Sequence, residues 1–351
     1  SLLLAVAPSV FFSSFVTAQE MAALQQGLPA EHLTPVVTNL TEMRKAIIAS
    51  DAWRSFFIIV VGCFLLFLYQ QKKLKASFTM TGIVLLCLID MWTVNKRYLN
   101  DEQFVSKSNQ TGAFVKTQTD EIILQDTALN YRVLNFVGFP GNTFNENNTS
   151  YWHKSVGGYH AAKLRRYQEM INMHIEPEIG QLFGAFGRAK VFEDIHPVLD
   201  SLGVLNMLNM KYVIYNKEAA PLLNDRHNGN AWFVQKVHVA ANADEEMKLV
   251  GEIDTKHEVV VDKQFESYVP AKLQSDSTAS IALKSYEPNH LVYAFNSKVP
   301  QMVVFSEIFY DKGWNAYING QIVPYIRANY LLRAMKLDAG AYEVEFRFEP
   351  E

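Results

Sequence analysis

The chain has 351 residues and a formal net charge of -4, and 13% of its residues are aromatic. This length allows two or three folding units, and the charge lacks the basic excess that nucleic-acid binding requires, so we expect no nucleic-acid partner. The two cysteines, Cys63 and Cys87, lie inside apolar runs. Residues after 95 can therefore form neither a disulfide framework nor a cysteine-based zinc site.

The N-terminal residues are apolar from the start. Residues 1–17 are typical of the end of a membrane-spanning helix. A signal peptide is the alternative, but no charged segment precedes the apolar run. We expect residues 18–52 to form an extracytoplasmic loop with an amphipathic helix at about 40–48. The chain opens within an apolar stretch and ends just after a predicted strand, so we expect both ends to be cuts through a longer protein.

Two further apolar runs predict transmembrane helices at residues 53–71 and 76–95. A bilayer needs about 20 predominantly apolar residues, and the second run is interrupted only by Asp90. The alternative is a buried helical hairpin of a soluble protein. Two runs of this length joined by so short a linker favour the membrane, and the lipid bilayer is thus the first expected partner.

The linker between these helices predicts their direction. Lys72, Lys73 and Lys75 fall in the loop at 72–75, and short lysine-rich loops stay in the cytoplasm. The second helix then runs outward, which places everything from about residue 96 outside the cytoplasmic membrane of a bacterium. Lys96 and Arg97 oppose this orientation slightly, but long domains translocate largely regardless of such charges.

The exported region divides by pattern into two predicted domains. Residues 96–275 mix helices, at 120–124, 161–174 and 198–208, with strands at 131–136, 210–215 and 231–239, which indicates an α/β (α+β) domain. Residues 276–351 contain only short strands, and Asn319-Gly320 between 314–318 and 321–325 is a strong hairpin signal. The predicted fold is therefore membrane α-helical segments, an extracytoplasmic α+β domain and a C-terminal antiparallel β-sandwich.

One polar cluster and one membrane carboxylate are candidate substrate-binding groups. Residues 151–166 carry a dense polar and aromatic set around Gly157-Gly158 that could bind a lipid-linked phosphate or a sugar. The alternative is a strand-turn-helix junction with a solvated basic helix start. Asp90 is a candidate because carboxylates within membranes are costly, although a hydrated position or pairing with Lys96 or Arg97 explains it equally. The candidates are Asp90, His153, Lys154, Tyr159, His160, Arg165 and Arg166.

A second, weaker candidate is a sugar platform in the β region. It would consist of Trp314, Tyr317, Arg327 and Arg333, with Tyr325, Asn329 and Tyr330 nearby. Such residues more often form the core and rim of a sandwich, which is the favoured interpretation. Residues 180–187 contain glycines but no following Lys-Ser/Thr, so we expect a loop or a close-packing site there rather than a phosphate-binding loop. No catalytic residue and no metal ligand set is recognisable.

Several segments together resemble the YfhO family of bacterial membrane proteins, in the form found in Bacteroidetes-type bacteria. They cover most of residues 85–349, and their order and spacing make the match specific. The segments are IDMW at 89–92, KRYLN at 96–100, YRVLN at 131–135, GGYH at 157–160, KLRRYQE at 163–169, LNMLNMKY at 205–212, GWNAY at 313–317 and RANYLLRA at 327–334.

The resemblance implies a polytopic glycosyltransferase-like protein of the GT-C type. Such enzymes transfer a sugar from a polyprenyl-phosphate carrier to an acceptor, here an envelope glycan, on the outer side of the membrane. Their acidic catalytic residue lies in an N-terminal loop that this chain lacks, so the chain alone is not expected to be active. No cofactor is visible, while a divalent metal is compatible with the full-length enzyme.

Two other functions stay open at this point. The first is a non-enzymatic envelope protein whose exported domain binds a glycan or a protein, and the second is an accessory protein of a transporter or flippase. An acidic pair in the N-terminal loops would favour the enzyme, and further charges within the N-terminal helices would favour the transporter.

Overall fold

A computed structural model describes residues 1–104, 106, 114–270 and 272–350. The chain divides into two compact units, Ser1–Gln110 and Thr111–Glu351, which are described separately. The predicted exported domain at 96–275 includes residues 105, 107–113 and 271, which lie outside the described residues. Its boundary with the predicted domain at 276–351 stays a prediction, and strands from both sides of that boundary pair in one sheet, as given below.

The first unit is helical. Its helices are α1 (Leu2–Val6), α2 (Ala18–Gly27), α3 (Ala30–Gln70) and α4 (Ala76–Tyr98), with 3-10 turns at Pro8–Val10 and Asp101–Gln103. Within the described residues, α3 and α4 are the two helices long and apolar enough to cross a membrane, and only 6% of each apolar window is buried. A core helix of a soluble protein would be mostly buried, so this exposure favours the predicted membrane helices.

The segment predicted as an extracytoplasmic loop at 18–52 is almost entirely helical, and its position outside the cytoplasm stays a prediction. The side chain of Thr17 accepts the N–H of Glu20, while the Glu20 carboxylate accepts the N–H of Thr17, and this capping box starts α2. The predicted helices at 40–48 and 53–71 form one continuous helix, α3. Residues 31–52 contain no glycine, and Pro35 removes a single backbone donor near the start of the helix, so nothing there terminates it.

The apolar run at 1–17 is helical only in part. Helix α1 ends at Val6, and Pro8 opens a separate 3-10 turn. Proline is favoured at the first position of a helix and disfavoured in its interior, which explains the break. That α1 is the end of a further spanning helix stays a prediction.

The second unit mixes helices and strands, as predicted, and becomes purely β near its C-terminus. Its helices are α5 (Gln118–Ile123), α6 (Asn148–Trp152), α7 (Arg165–Met170), α8 (Glu176–Phe186), α9 (His196–Ser201), α10 (Gly203–Met207) and α11 (Ala243–Val250). A π-helical turn at Ile171–Ile175 joins α7 to α8, and 3-10 turns lie at Phe192–Ile195 and Lys263–Tyr268. The strands are β1 (Arg132–Asn135), β2 (Met210–Ile214), β3 (Leu222–Leu223), β4 (Ala231–Phe233), β5 (Lys236–Ala240), β6 (Glu258–Asp262), β7 (Ser280–Glu287), β8 (His290–Ser297), β9 (Gln301–Ile308), β10 (Trp314–Ile318), β11 (Gln321–Val323), β12 (Ile326–Ala328), β13 (Leu332–Leu337) and β14 (Gly340–Phe348).

These strands form two small sheets and two larger antiparallel ones. The small sheets have the orders β1-β2-β3 and β5-β6, and the larger ones β11-β10-β14-β8-β7 and β12-β13-β9-β4. Strand β4 pairs with β9, so the chain before residue 276 contributes to the C-terminal sheets. Side chains of both larger sheets meet in one hydrophobic cluster that includes Tyr293, Phe305 and Phe346. A second cluster holds α7 to α11 and the small sheets together.

Four local predictions in this unit differ from the structure. The helix predicted at 161–174 starts at Arg165 and continues through the π turn into α8, so the loop expected at 180–187 is wrong. A Cβ atom at Gly180 would meet nothing within 4 Å, so no close packing requires glycine there. The helix predicted at 198–208 is two short helices, α9 and α10, and the strand predicted at 231–239 is divided into β4 and β5.

Candidate functional site

Asp90 lies in the helical unit and has a partner other than those predicted. Its Oδ1 is 3.2 Å from Nε of Arg54 on the neighbouring spanning helix. Arg97 instead contacts Asp51, at 2.7 Å, and Lys96 contacts Asp101, at 3.0 Å. The predicted pairing of Asp90 with Lys96 or Arg97 is therefore wrong. Two ion pairs connect α3 with α4, which gives Asp90 a structural role as a link between helices.

His153 lies inside the second unit and not on a binding surface. Its side chain is 2% exposed, and Nε2 lies 2.9 Å from Oδ1 of Asp120. The other oxygen of Asp120 accepts the N–H and the hydroxyl of Thr117. Burial acts to raise the pKa of Asp120, but the hydrogen bonds from Thr117 and His153 hold it below its ordinary value. Both partners are satisfied, so this pair serves the fold.

The next three candidates are spread over different surroundings. Lys154 donates to Oδ1 of Asn130, at 2.8 Å, and its Nζ lies 3.0 Å from the ring centroid of Tyr286. Partial burial lowers the pKa of Lys154 to about 8, against the pull of Glu307. Tyr159 is 58% exposed, and His160 Nδ1 accepts the N–H of Ala162 in the same loop. The structure does not bring these side chains together into one site.

Both positions of the Gly157-Gly158 turn require glycine, the first because of close packing and the second because of its backbone conformation. A Cβ atom at Gly157 would lie 2.2 Å from the carbonyl oxygen of Thr143, and Gly158 has a φ of +102°. Residues with a side chain rarely adopt that conformation. The two glycines therefore let the asparagine-rich loop at 141–147 pack against the start of the segment that leads to α7.

Arg166 borders a cleft that joins the two predicted sites. We call it the double-arginine cleft, and it has a volume of about 330 Å³. It is lined by Leu164, Arg165, Arg166, Ile308, Phe309, Tyr310, Asp311, Arg327, Tyr330 and Leu331. Arg165 and Arg166 come from α7, while Arg327 and Tyr330 come from the β12-β13 hairpin. Two members of the predicted phosphate site, Arg165 and Arg166, and one of the predicted sugar platform, Arg327, thus line the same cleft.

The carboxylate of Glu246 forms the floor of this arrangement. Glu246 is fully buried on α11, where Oε1 accepts the N–H of Tyr330 at 2.9 Å. Its Oε2 lies 3.3 Å from Nη2 of Arg327 and 3.9 Å from Nη1 of Arg166. Burial raises the pKa of Glu246, although Arg327, the Tyr330 N–H and Arg166 all act to lower it. Two guanidinium groups therefore share the buried carboxylate of Glu246, and Nη2 of Arg327 also lies 3.6 Å from Oδ2 of Asp262.

Tyr330 connects the two arginine-bearing elements. Its hydroxyl donates to Oε2 of Glu169, and the guanidinium of Arg166 lies over its ring, 4.3 Å from the centroid. Burial, with the hydrogen bond to Glu169, raises the pKa of Tyr330 to about 12, so the hydroxyl stays a donor. Both Asn329 and Tyr330 have positive φ, +46° and +66°. Such strain persists only where surrounding contacts impose it, and it is frequent at ligand sites.

Two guanidinium atoms at this cleft have no hydrogen-bond partner within the described part of the chain. They are Nη1 of Arg166 and Nε of Arg327, both inaccessible to solvent. Arg327 as a whole is only 8% exposed, yet it lines the cleft. Unpaired buried donors are costly, and guanidinium groups match the geometry of phosphate and carboxylate. This arrangement is chemically suited to hold an anion.

The remaining members of the predicted sugar platform lie in or at the β core. Arg333 is 2% exposed, and its guanidinium packs between rings, 4.3 Å from Trp314 and 5.0 Å from Phe346. Tyr317 is 9% exposed and donates to Glu349. These residues do not present an open aromatic surface, which agrees with the favoured interpretation as core and rim.

Sequence reasoning missed Glu246 and Glu169. A signal for Glu246 was present, because α11 buries Met247 and Val250 and carries Glu246 on the same face. An acidic residue on the buried face of an amphipathic helix needs a cation opposite it. Within the described ranges, no group of three or more His, Cys, Asp or Glu side chains is placed to hold a metal ion.

Comparison with known proteins gives one family match. The model of a family described as bacterial membrane protein YfhO matches residues 250–351. This range contains Arg327, Tyr330 and the C-terminal strands from β6 onward. No curated protein and no solved structure matches the chain.

Proposed function

We propose that the chain, in which residues 250–351 match the model of a family described as bacterial membrane protein YfhO, is part of a GT-C-type glycosyltransferase of the cell envelope. The enzyme would take a sugar from a polyprenyl-phosphate carrier and transfer it to an envelope glycan. The catalytic acid, and any divalent metal, would be held by N-terminal parts of the full-length protein. The present residues would supply membrane helices and an exported domain.

The proposed topology follows from the two apolar helices. The loop between α3 and α4 contains Lys72, Lys73 and Lys75, which favours a cytoplasmic position. The second unit would then lie outside the cytoplasmic membrane, with its two larger sheets forming the β-sandwich. Lipid, or other helices of a polytopic protein, would cover the exposed apolar surfaces of α3 and α4.

The single observation that carries the site proposal is that two guanidinium groups, those of Arg166 and Arg327, line the double-arginine cleft. The carrier presents a phosphate, whose oxygens would accept hydrogen bonds from these guanidinium groups. Glu246 would orient both arginines, and the strained turn at Asn329-Tyr330 would fix their separation. Arg165 also lines the cleft, but its side chain is 92% exposed and pairs with Glu169 on the same helix, so we assign it no contact with the phosphate.

Binding of a short carrier analogue tests this proposal. Farnesyl phosphate and farnesol would be compared on the detergent-solubilised chain and on the Arg166→Ala and Arg226→Ala variants. We expect farnesyl phosphate alone to bind, with a loss in Arg166→Ala. Arg226→Ala is the charge-matched control, because Arg226 contacts Asp200 and Asp225 far from this cleft in sequence. Equal binding of the phosphate by wild type and Arg166→Ala would reject the site.

The topology and the transfer reaction need separate tests. Alkaline phosphatase fused after residue 104 is expected to be active, since this enzyme matures only outside the cytoplasm. In the full-length protein, Arg166→Ala is expected to lower sugar transfer at unchanged expression, and Arg226→Ala to leave it unchanged. An inactive fusion would overturn the orientation, and unchanged transfer in Arg166→Ala would overturn the role of the cleft.

A further inference from the structure

A second cleft in the β region combines aromatic rings with polar side chains. We call it the tyrosine cleft, and it has a volume of about 530 Å³. The residues that matter for its chemistry are Tyr268, Asn319, Gln321, Lys336, Asp338 and Tyr342. They come from the 3-10 turn at Lys263–Tyr268, the β10-β11 hairpin and the β13-β14 connection. Loops that converge at one end of a sheet scaffold are a common place for binding sites.

The two tyrosines are held in place by their hydroxyl groups. The Tyr268 hydroxyl donates to the carbonyl of Pro324, at 2.7 Å, and accepts the backbone N–H of Lys336. The Tyr342 hydroxyl donates to the carbonyl of Asp338, at 2.7 Å. A Cβ atom at Gly340, whose φ is +149°, would lie 3.1 Å from the Tyr342 ring. The Tyr342 ring also packs on Phe295, with centroids 4.9 Å apart. With the hydroxyls engaged in the fold, a ligand would contact the parts of the two rings that line the cleft.

The polar side chains of the cleft are unengaged. Asn319 and Gln321 lie on either side of the turn glycine, where Asn319 and Gly320 have φ values of +51° and +77°. Asn319, Gln321, Lys336 and Asp338 are all exposed, and within the described residues their side chains form no hydrogen bond or ion pair. One cation and one anion leave the cleft without net charge. Amides and a balanced pair of charges can both donate to and accept from hydroxyl groups.

We propose that the tyrosine cleft binds a segment of a neutral polysaccharide. A sugar ring has one face of C–H bonds, which packs on the electron-rich face of an aromatic ring, and hydroxyls at its edge. Two rings with amides between them match both parts of that chemistry. The volume lies within the usual range for small-ligand pockets. A strongly anionic ligand would be repelled by Asp338, and Lys336 alone gives the cleft no excess of positive charge to attract it.

This site is separate from the double-arginine cleft and goes beyond the function proposed there. Strand β13 connects the two, since Leu331 before its start lines one cleft and Lys336 near its end lines the other. Five residues of extended strand place them about 17 Å apart. Saccharide binding in the tyrosine cleft therefore needs neither the phosphate carrier nor sugar transfer.

The test uses the full chain in lipid nanodiscs and four neutral tetrasaccharides: maltotetraose, cellotetraose, mannotetraose and chitotetraose. Binding is measured by saturation-transfer NMR and calorimetry. We expect at least one of them to bind saturably, with affinity reduced about tenfold or more in Tyr342→Ala and in Gln321→Ala. Tyr342→Phe, which keeps the ring, is expected to retain most of the affinity.

Two control variants make the outcome decisive. Ile322→Ala is the matched control for Gln321→Ala, because Ile322 is the next residue of β11 and is 69% exposed. It is expected to bind as wild type. Arg166→Ala is expected to lose farnesyl phosphate and keep the saccharide, which separates failure of one proposal from failure of the other. Absence of saturable binding for all four probes, or binding unchanged in both Tyr342→Ala and Gln321→Ala, would overturn the proposal.

Discussion

The Asp120–His153 pair and the double-arginine cleft both bury ionisable groups in the second unit, but they differ in how completely those groups are hydrogen-bonded. Asp120 accepts from Thr117 through one oxygen and contacts His153 through the other. At the cleft, Glu246 faces two arginines, each of which keeps one buried nitrogen without a hydrogen-bond partner in the described part of the chain. The carboxylate of Asp120 is hydrogen-bonded through both oxygens inside the fold, which marks its pair with His153 as structural, while Arg166 and Arg327 line an open cleft with incomplete hydrogen bonding.

The largest effect is expected from removing the arginine that opposes Glu246. Arg327→Met would leave a fully buried carboxylate with Arg166 only, 3.9 Å away, and we expect a loss of about 3–5 kcal/mol in the free energy of unfolding. Urea unfolding in detergent, followed by near-ultraviolet circular dichroism, measures it. The double variant Glu246→Gln/Arg327→Met is expected to recover much of the loss. A single variant as stable as wild type would show that Glu246 needs no cation.

Glu178 sharpens the comparison because it is a partly buried carboxylate that pairs with no cation among the described residues. It accepts the N–H groups of Val204 and Leu205, both at 2.8 Å, yet burial raises its pKa to about 7. The folded state then binds a proton that the unfolded state releases between about pH 4.5 and 7. This contribution, up to about 3 kcal/mol, is complete below pH 4.5 and is lost as pH rises to 7.

The measurement is the free energy of unfolding across that pH range in wild type and in Glu178→Gln. The variant carries no titrating group at this position, so its pH profile is expected to be flatter between pH 4.5 and 7. Identical profiles would mean that another group dominates the titration in this window.

A smaller effect is expected at the satisfied pair. His153→Phe fills a similar volume but removes one partner of Asp120, so we expect a loss of about 1–3 kcal/mol. Farnesyl phosphate binding by the folded fraction is expected to be unchanged. Loss of phosphate binding in a stably folded His153→Phe variant would break the distinction between the two regions.

The smallest effect is expected at Arg165. Its side chain is 92% exposed and pairs with Glu169 four residues later on α7. Exposed pairs of this kind contribute little to stability, so Arg165→Ala is expected to leave the midpoint of urea unfolding unchanged. A clear shift of the midpoint to lower urea would indicate that Arg165 supports the cleft through Glu169 and the Tyr330 hydroxyl.

Features set by neighbouring residues were predictable from the sequence. The β10-β11 hairpin followed from Asn319-Gly320, whose positive φ values few other residue pairs adopt. The two apolar helices followed from length and composition.

Features set by distant residues were not predictable. Glu246 contacts Arg327 and Tyr330 across more than 80 positions, and only the fold brings α11 to the β12-β13 hairpin. His153 and Lys154 are adjacent, but an extended backbone turns successive side chains to opposite sides, so one is buried and the other exposed. The polar residues at 151–166 are close in sequence but lie in different surroundings in the structure. The last of them, Arg166, lies beside Arg327 at the double-arginine cleft.

The length of α3 has a mechanical consequence. Its 41 residues include an apolar C-terminal half and a more polar N-terminal half in one unbroken rod. The rod is about 60 Å long, roughly twice the hydrocarbon thickness of a bilayer. Because no hinge separates the halves, a tilt of about 10° in the lipid-embedded part would swing the far end of the other part by about 6 Å. A rearrangement of the apolar half of α3 would therefore displace the N-terminal end of the helix, which would lie well outside the bilayer.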